Sequence, residues 1–172
     1  KDLANRTLKL MNQAPPIDVY DLPFPLKSKT VHIAPIAGEI SYDVAEKLNS
    51  CAEVLSLDPQ GLLRSFDAAG NVGFKLPFDK NLLRLINIYK SSQDEIIALT
   101  GCSNLDSAIK AIHDFGVATV IVTLGVDGAV LSVERTVYRV PACISSTVVD
   151  PTVAGDVFMG SFLTEYNREK DS

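Results

Sequence analysis

Val149-Asp150-Pro151-Thr152-Val153-Ala154-Gly155-Asp156-Val157-Phe158 sets an acid where a turn of small residues opens a helix. Beyond it, Phe158, Met159, Phe162, Leu163 and Tyr166 recur at the three-and-four spacing of a helix with one face in a core. Ala154, Gly155 and Asp156 would then form its first turn. A helix start offers backbone N–H groups without intrahelical partners, and small residues let an anion approach them closely. An acid is out of place as a phosphate ligand there, but it fits a base that takes a proton from a hydroxyl attacking the held phosphoryl group. The alternative is an N-terminal capping acid, since small-small-Asp turns are common at helix starts.

Upstream, strand and helix patterns alternate. Val31 to Ala34 is a short apolar strand ending at Pro35, and Tyr42 to Asn49 is a helix capped by Ser41. Glu53 to Asp58 is a strand that runs into Pro59-Gln60-Gly61, at the carboxyl end where open parallel sheets place ligands. Asp79 to Leu85 reads as a helix, Ile86 to Tyr89 as a strand, and Ser92 or Gln93 begins a helix that stops at Gly101. Asn104 to Phe115 is a helix ended by Gly116, with Leu105, Ala108, Ile109 and Ile112 on one face. The strand Val117 to Leu124 follows, then a hairpin of Gly128 to Ser132 and Thr136 to Val140. Gly70-Asn71-Val72-Gly73 reads as a turn between short strands. This rhythm predicts an α/β sandwich with a mainly parallel sheet.

Three features, in this order and spacing, resemble the ribokinase-like (PfkB-type) carbohydrate kinase family. Asp150, Ala154, Gly155, Asp156 and Phe158 match its late D-T-x-G-A-G-D-x-F signature, with Pro151 as a frequent substitute and Val153 where the family normally has glycine. Val120 to Val130, containing Thr123, Gly125 and Gly128, is similar to its T-x-G-x-x-G strand and turn. Tyr89 to Glu95, leading into Leu99-Thr100-Gly101, is similar to its N-x-x-E segment, with Ser92 in place of asparagine and Glu95 matching.

The resemblance implies a ribokinase-like three-layer sandwich and transfer of the γ-phosphoryl group of ATP to a hydroxyl of a small sugar, polyol or nucleoside. Asp156 would be the base, with the amides of Ala154 and Gly155 beside it as the anion hole. Thr123, Gly125, Gly128 and Val153 would border the nucleotide, the glycines because a side chain would block the backbone. Glu95 would hold Mg²⁺ through water, against the alternative of an ordinary acid in the first turn of a helix. Asp150 and Thr152 stand where relatives place a monovalent-cation loop, for an ion such as K⁺. If the glycine position demands positive φ, Val153 would be strained by about 1 kcal/mol or more. A catalytically impaired or truncated nucleotide-binding remnant is therefore the competing expectation.

Such kinases run to roughly 300 residues, near the upper size for one hydrophobic core. This chain has 172. The resemblance covers the middle and carboxyl-terminal part, with the early sugar-binding signature and the lid largely absent. Residues 1–16 would be the end of the lid region, with Arg6 to Asn12 as its returning strand, and 17–172 the nucleotide-binding part of the α/β domain. A homodimer through the lid is common in the family.

At 47% hydrophobic and 22% charged residues a sizeable core is available. A formal charge of -5 without a basic stripe argues against nucleic acid as a partner. Apolar runs such as Val117 to Leu124 fall short of the ~18 to 20 residues that span a membrane. Cys51, Cys102 and Cys143 lack metal or redox spacing and read as buried thiols of a cytoplasmic protein. His32 and His113 read as a strand histidine and a helix-surface histidine. Neither a Walker loop, a dinucleotide loop nor a G-x-S-x-G elbow is present.

Overall fold

The computed structural model describes residues 8–23, 25–74, 78–143 and 153–170. Its main sheet holds six strands: β1 (Ser28–Ile33), β2 (Ala52–Leu57), β5 (Ile88–Ser92), β6 (Thr119–Thr123), β7 (Ala129–Val133) and β8 (Thr136–Val140), side by side in that order. The first four are parallel, and β7 and β8 add an antiparallel hairpin. A separate antiparallel ribbon pairs β3 (Arg64–Phe66) with β4 (Val72–Phe74). Its turn is tied by Asp67, whose Oδ1 accepts from Ala69 N–H at 2.8 Å and Asn71 N–H at 2.9 Å. Lys9 bridges to Asn71, the contact made by the described part of the expected lid strand.

Among the described residues four α-helices cover the sheet. α1 (Tyr42–Asn49) is capped by Ser41, α2 (Gln93–Thr100) by Ser92 and α3 (Leu105–His113) by Asn104, each side chain accepting a first-turn N–H. They pack on one face. Val44, Ala45 and Leu48 of α1, Ile96 and Leu99 of α2, and Ala108, Ile109 and Ile112 of α3 share a core with Ile33, Leu55, Leu57, Tyr89, Val120 and Val122. α4 (Ala154–Lys170) packs on the other face, where Met159 and Leu163 bury against Val54, Ile88 and Ile121. Phe158, Phe162 and Tyr166 flank that contact. The two cores take alternate residues of the same strands, as the two-residue period of a strand requires. Helices on both faces of a mainly parallel sheet make the α/β sandwich that the pattern predicts, in the three layers that the resemblance implies.

Several details differ from the sequence reading. Lys80–Leu85 is a 3-10 segment with Asp79 as its cap, not an α-helix, and the following strand is Ile88–Ser92. Asn87, just before that strand, is bound to β2, with Leu55 N–H donating to Asn87 Oδ1 at 2.7 Å and Asn87 N–H to the Leu55 carbonyl at 2.9 Å. His113 is buried rather than on the surface. Its Nδ1 lies 2.7 Å from the Val117 carbonyl, which can only accept, so Nδ1 carries a proton, and Nε2 lies 2.8 Å from the Ser132 hydroxyl. The cysteines are not all buried: Cys51 and Cys102 are half-buried and Cys143 is exposed, all as free thiols. Among the described residues no helix is long and apolar enough to cross a membrane.

Tyr89 has 0% exposure, and its hydroxyl is buried without a hydrogen-bond partner among the described residues. Burial pushes its pKa well up; the neighbouring Ser91 hydroxyl opposes this but donates to the Ser92 carbonyl at 3.1 Å. An unpaired buried hydroxyl is a desolvation cost of ~1 to 3 kcal/mol. Tyr89→Phe is expected to raise the unfolding free energy by about 1 kcal/mol in urea denaturation. A loss of that size would mean the hydroxyl is bonded in the folded protein.

Candidate active site

The alternation that builds the two cores also builds a polar floor. On the α4 side, β1 presents Thr30 and His32, β2 presents Val54 and Ser56 and leads to Asp58, and β5 presents Ile88 and Lys90. The apolar members lie under the body of α4. Nearer the carboxyl ends of the strands come His32, Ser56, Asp58 and Lys90, where an open parallel sheet receives ligands. With the first turn of α4 they border a cleft of ≈ 660 Å³. Lys9, His32, Asp58, Gln60, Arg64, Lys90 and Asp156 are its polar lining, and Leu10, Ile36 and Val72 are among the apolar residues of its walls.

Lys90 and Asp58 are 6% and 5% exposed, and Lys90 Nζ donates to Asp58 Oδ2 at 2.5 Å. An ammonium on a sheet face is tolerated only with a partner of this kind. His32 Nδ1 lies 3.0 Å from Ser56 Oγ. Burial lowers the His32 pKa below its ordinary value; Lys90 pushes the same way, against the charges of Asp58 and Asp156. The loop beside β1 is held by Glu39, which accepts from Ile36 N–H at 2.8 Å and Ala37 N–H at 2.7 Å. Burial alone would raise the Glu39 pKa, but these N–H bonds keep it below the usual value.

Ala154, Gly155 and Asp156 open α4 as expected. The Val157 N–H donates to the Val153 carbonyl at 2.9 Å, and the three amides before it are those an α-helix leaves without a partner in its own first turn. Val153 has φ of 57° and is 60% exposed. The residue in the family's glycine position thus adopts the left-handed conformation, and a β-branched side chain is strained in it. Asp150 and Thr152 lie outside the described residues.

The other expected residues sit apart from this cleft lining. Thr123 ends β6, half-buried, its hydroxyl 3.4 Å from the Ser91 carbonyl. Gly125 has φ of +61°, and a Cβ there would meet nothing within 4 Å, so conformation rather than crowding calls for glycine. At Gly128 a Cβ would lie 2.0 Å from the Val140 carbonyl oxygen, which makes this glycine a packing requirement of the turn before β7. Glu95 is in a capping box: its Oε2 accepts from Ser92 N–H at 2.8 Å and from the Ser92 hydroxyl at 2.7 Å. The sequence reading took His32 as an ordinary strand histidine, gave the Asp58-Pro59-Gln60 loop a place beside the nucleotide or substrate without assigning it a role, and passed over Lys90. The signal for Lys90 was present, since Ile88-Tyr89-Lys90 puts a lysine inside an apolar strand.

The chain matches the description "pfkB family carbohydrate kinase" over residues 13–172. It belongs to that family. It is similar to the aminoimidazole riboside kinase of Salmonella typhimurium, with 39% identity over 84 residues, 49% of this chain and 26% of the relative. The inositol 3-kinase of Arabidopsis thaliana is 28% identical over 164 residues, 93% of this chain and 43% of the relative. Among solved structures, a sulfate complex of a pyrophosphate-dependent kinase in the ribokinase family superposes with a TM-score of 0.85 at 25% identity, covering 99% of this chain and 60% of that one. Aminoimidazole riboside kinase from Salmonella enterica gives 0.61 at 26% identity, covering 84% and 49%. The chain thus spans about a quarter to about half the length of the curated relatives it matches.

The site's strain and its titration each give an expected outcome. Val153→Gly removes the left-handed strain, worth ~1 to 2 kcal/mol against the ~0.5 to 1 that glycine loses in entropy. Its unfolding free energy should stay level or rise by up to about 1.5 kcal/mol. A fall of more than about 1 kcal/mol would show that Val153 is not held at positive φ in solution. For His32, the folded pKa lies below the ordinary 6.5. Between the two the unfolded chain binds more protons, so stability rises with pH through the window just under 6.5 and levels above it. Denaturation at a series of pH values should show that rise flattened in His32→Gln; an unchanged slope would remove His32 as its source.

Proposed function

We propose that this chain forms the phosphoryl-transfer face of an ATP-dependent kinase acting on a hydroxyl of a small sugar, polyol or nucleoside. The observation that carries the reading is the acid of the family signature, Asp156, at the open start of α4 and on the lining of a polar cleft. Asp156 takes the proton from the acceptor hydroxyl as its oxygen attacks the γ-phosphorus. The bond to the β-phosphate oxygen breaks and ADP leaves. The amides of Ala154, Gly155 and Asp156 receive the charge that grows on the transferred oxygens.

Magnesium keeps most of its water and needs one or two carboxylates plus phosphates. Among the described residues no cluster of three ligating side chains exists that would hold a metal by itself. Glu95, through water, and the donor phosphates would hold it, and its chemistry is neutralisation of phosphate charge. K⁺ at the Asp150 and Thr152 loop remains part of the proposal, as do cytoplasmic location and a homodimer. The strained Val153 favours a second reading, a nucleotide-binding relative whose transfer is impaired.

The test is release of ADP from Mg-ATP, and of phosphate from pyrophosphate, over a panel of ribose, nucleosides, hexoses, sugar acids and myo-inositol, beside Asp156→Asn. The pyrophosphate arm is included because a pyrophosphate-dependent kinase is among the similar structures. Acceptor-dependent release that falls by about 10²- to 10⁴-fold in the variant is expected. Binding of ATP with no release from any acceptor would leave the impaired reading.

A further inference from the structure

A Cβ built on Gly155 would lie 2.6 Å from Lys90 Nζ, closer than side chains approach. The end of a lysine can ordinarily move aside. This one cannot do so freely, because Asp58 holds it at 2.5 Å and both side chains are 7% exposed. The hollow left by Gly155 therefore receives the lysine ammonium from the sheet, and the ammonium stands directly under the first turn of α4. A cation beside the positive end of a helix is repelled by it unless anions compensate. Here Asp58 compensates from the floor, on the cleft that Asp156 also lines.

A buried ion pair that served only stability could be replaced by apolar residues with little loss. On the α4 face of the same strands, Val54 and Ile88 do supply apolar packing to α4, and charge comes in where that face reaches the cleft. We propose that Asp58 is a positioning residue: it fixes Lys90 in the hollow at Gly155, so that a preset cation and the amides of α4 together hold the transferring phosphoryl group. The inference rests on the kinase reading for its catalytic half. Its binding half, that an anion at the helix start is held through Lys90, can be tested without turnover.

The experiment compares the intact protein with Asp58→Asn, Gly155→Ala and the double variant Asp58→Leu with Lys90→Met. Urea denaturation, turnover with the best acceptor, and calorimetric binding of inorganic pyrophosphate are measured on each. The double variant is expected to recover the stability lost in Asp58→Asn while turnover stays about 10²- to 10³-fold down, the range for losing one stabilising group at a developing anion. Its pyrophosphate affinity should fall at least tenfold. The KM for the acceptor should change less than kcat. Gly155→Ala should lose affinity in parallel by displacing the ammonium. Recovery of both stability and pyrophosphate binding in the double variant would overturn the proposal and leave a structural ion pair. If the unaltered protein transfers no phosphate, the kinase reading fails, and the binding series still decides whether Lys90 holds an anion; no pyrophosphate binding by the unaltered protein counts against it.

Discussion

Met159 and Leu163, packed on Val54, Ile88 and Ile121, determine where the first turn of α4 comes to rest. A helix held to a sheet by buried apolar side chains has little freedom to slide, since each such side chain is worth ~1.5 to 3 kcal/mol when kept from water. The contact lies one to two turns past Asp156, so the acid and its neighbouring amides are projected beyond the apolar floor onto the polar ends of β1, β2 and β5. Without that packing the signature residues would be a helix start like any other. With it they face His32, Asp58 and Lys90 across one cleft.

The polar floor is the costly part of the arrangement. Burying an ammonium and a carboxylate is unfavourable unless they neutralise each other, and the 2.5 Å contact between Lys90 and Asp58 does so. His32 meets the same environment differently, by a pKa that burial lowers. His32 and Lys90 sit on strands whose alternate residues lie in the opposite core, and Asp58 directly follows such a strand, its N–H donating to the Ile33 carbonyl at 2.9 Å. Rigid strands below and a rigid helix above are the conditions a preorganised anion site requires.

Beside the cleft, strain is placed at the joint before α4. Val153 enters the left-handed region immediately before α4, and its carbonyl accepts the first bond of the helix, from Val157. A residue that resists this conformation is tolerated because the helix beginning at the next residue is held down by its own packing on the sheet. Local strain next to a site of this kind is one way in which a fold sets backbone donors. The same joint therefore sets both the local strain and the placement of those donors.

Much of the fold was legible in the residues. Ser41 and Asn104 mark helix starts, the apolar runs at β2 and β6 mark buried strands, and the signature around Gly155 and Asp156 marks the start of α4. These signals are local: a cap binds its own first turn, and periodicity reports a face without knowing its partner. The sequence also contained the alternation that sends Val54, Ser56 and Asp58 to one side and Leu55 and Leu57 to the other. Only tertiary structure decided the company those residues keep. Asp58 and Lys90 are 32 positions apart and meet because β2 and β5 are neighbours in the sheet. His113 is buried because β7 brings Ser132 to its second nitrogen. Ser92 and Glu95, by contrast, satisfy each other within a single turn, so their spacing alone could be read either as a cap or as a metal ligand. A pairing across strands costs nothing in local propensity and leaves no local mark, and for that reason the floor of the cleft had to be seen in three dimensions.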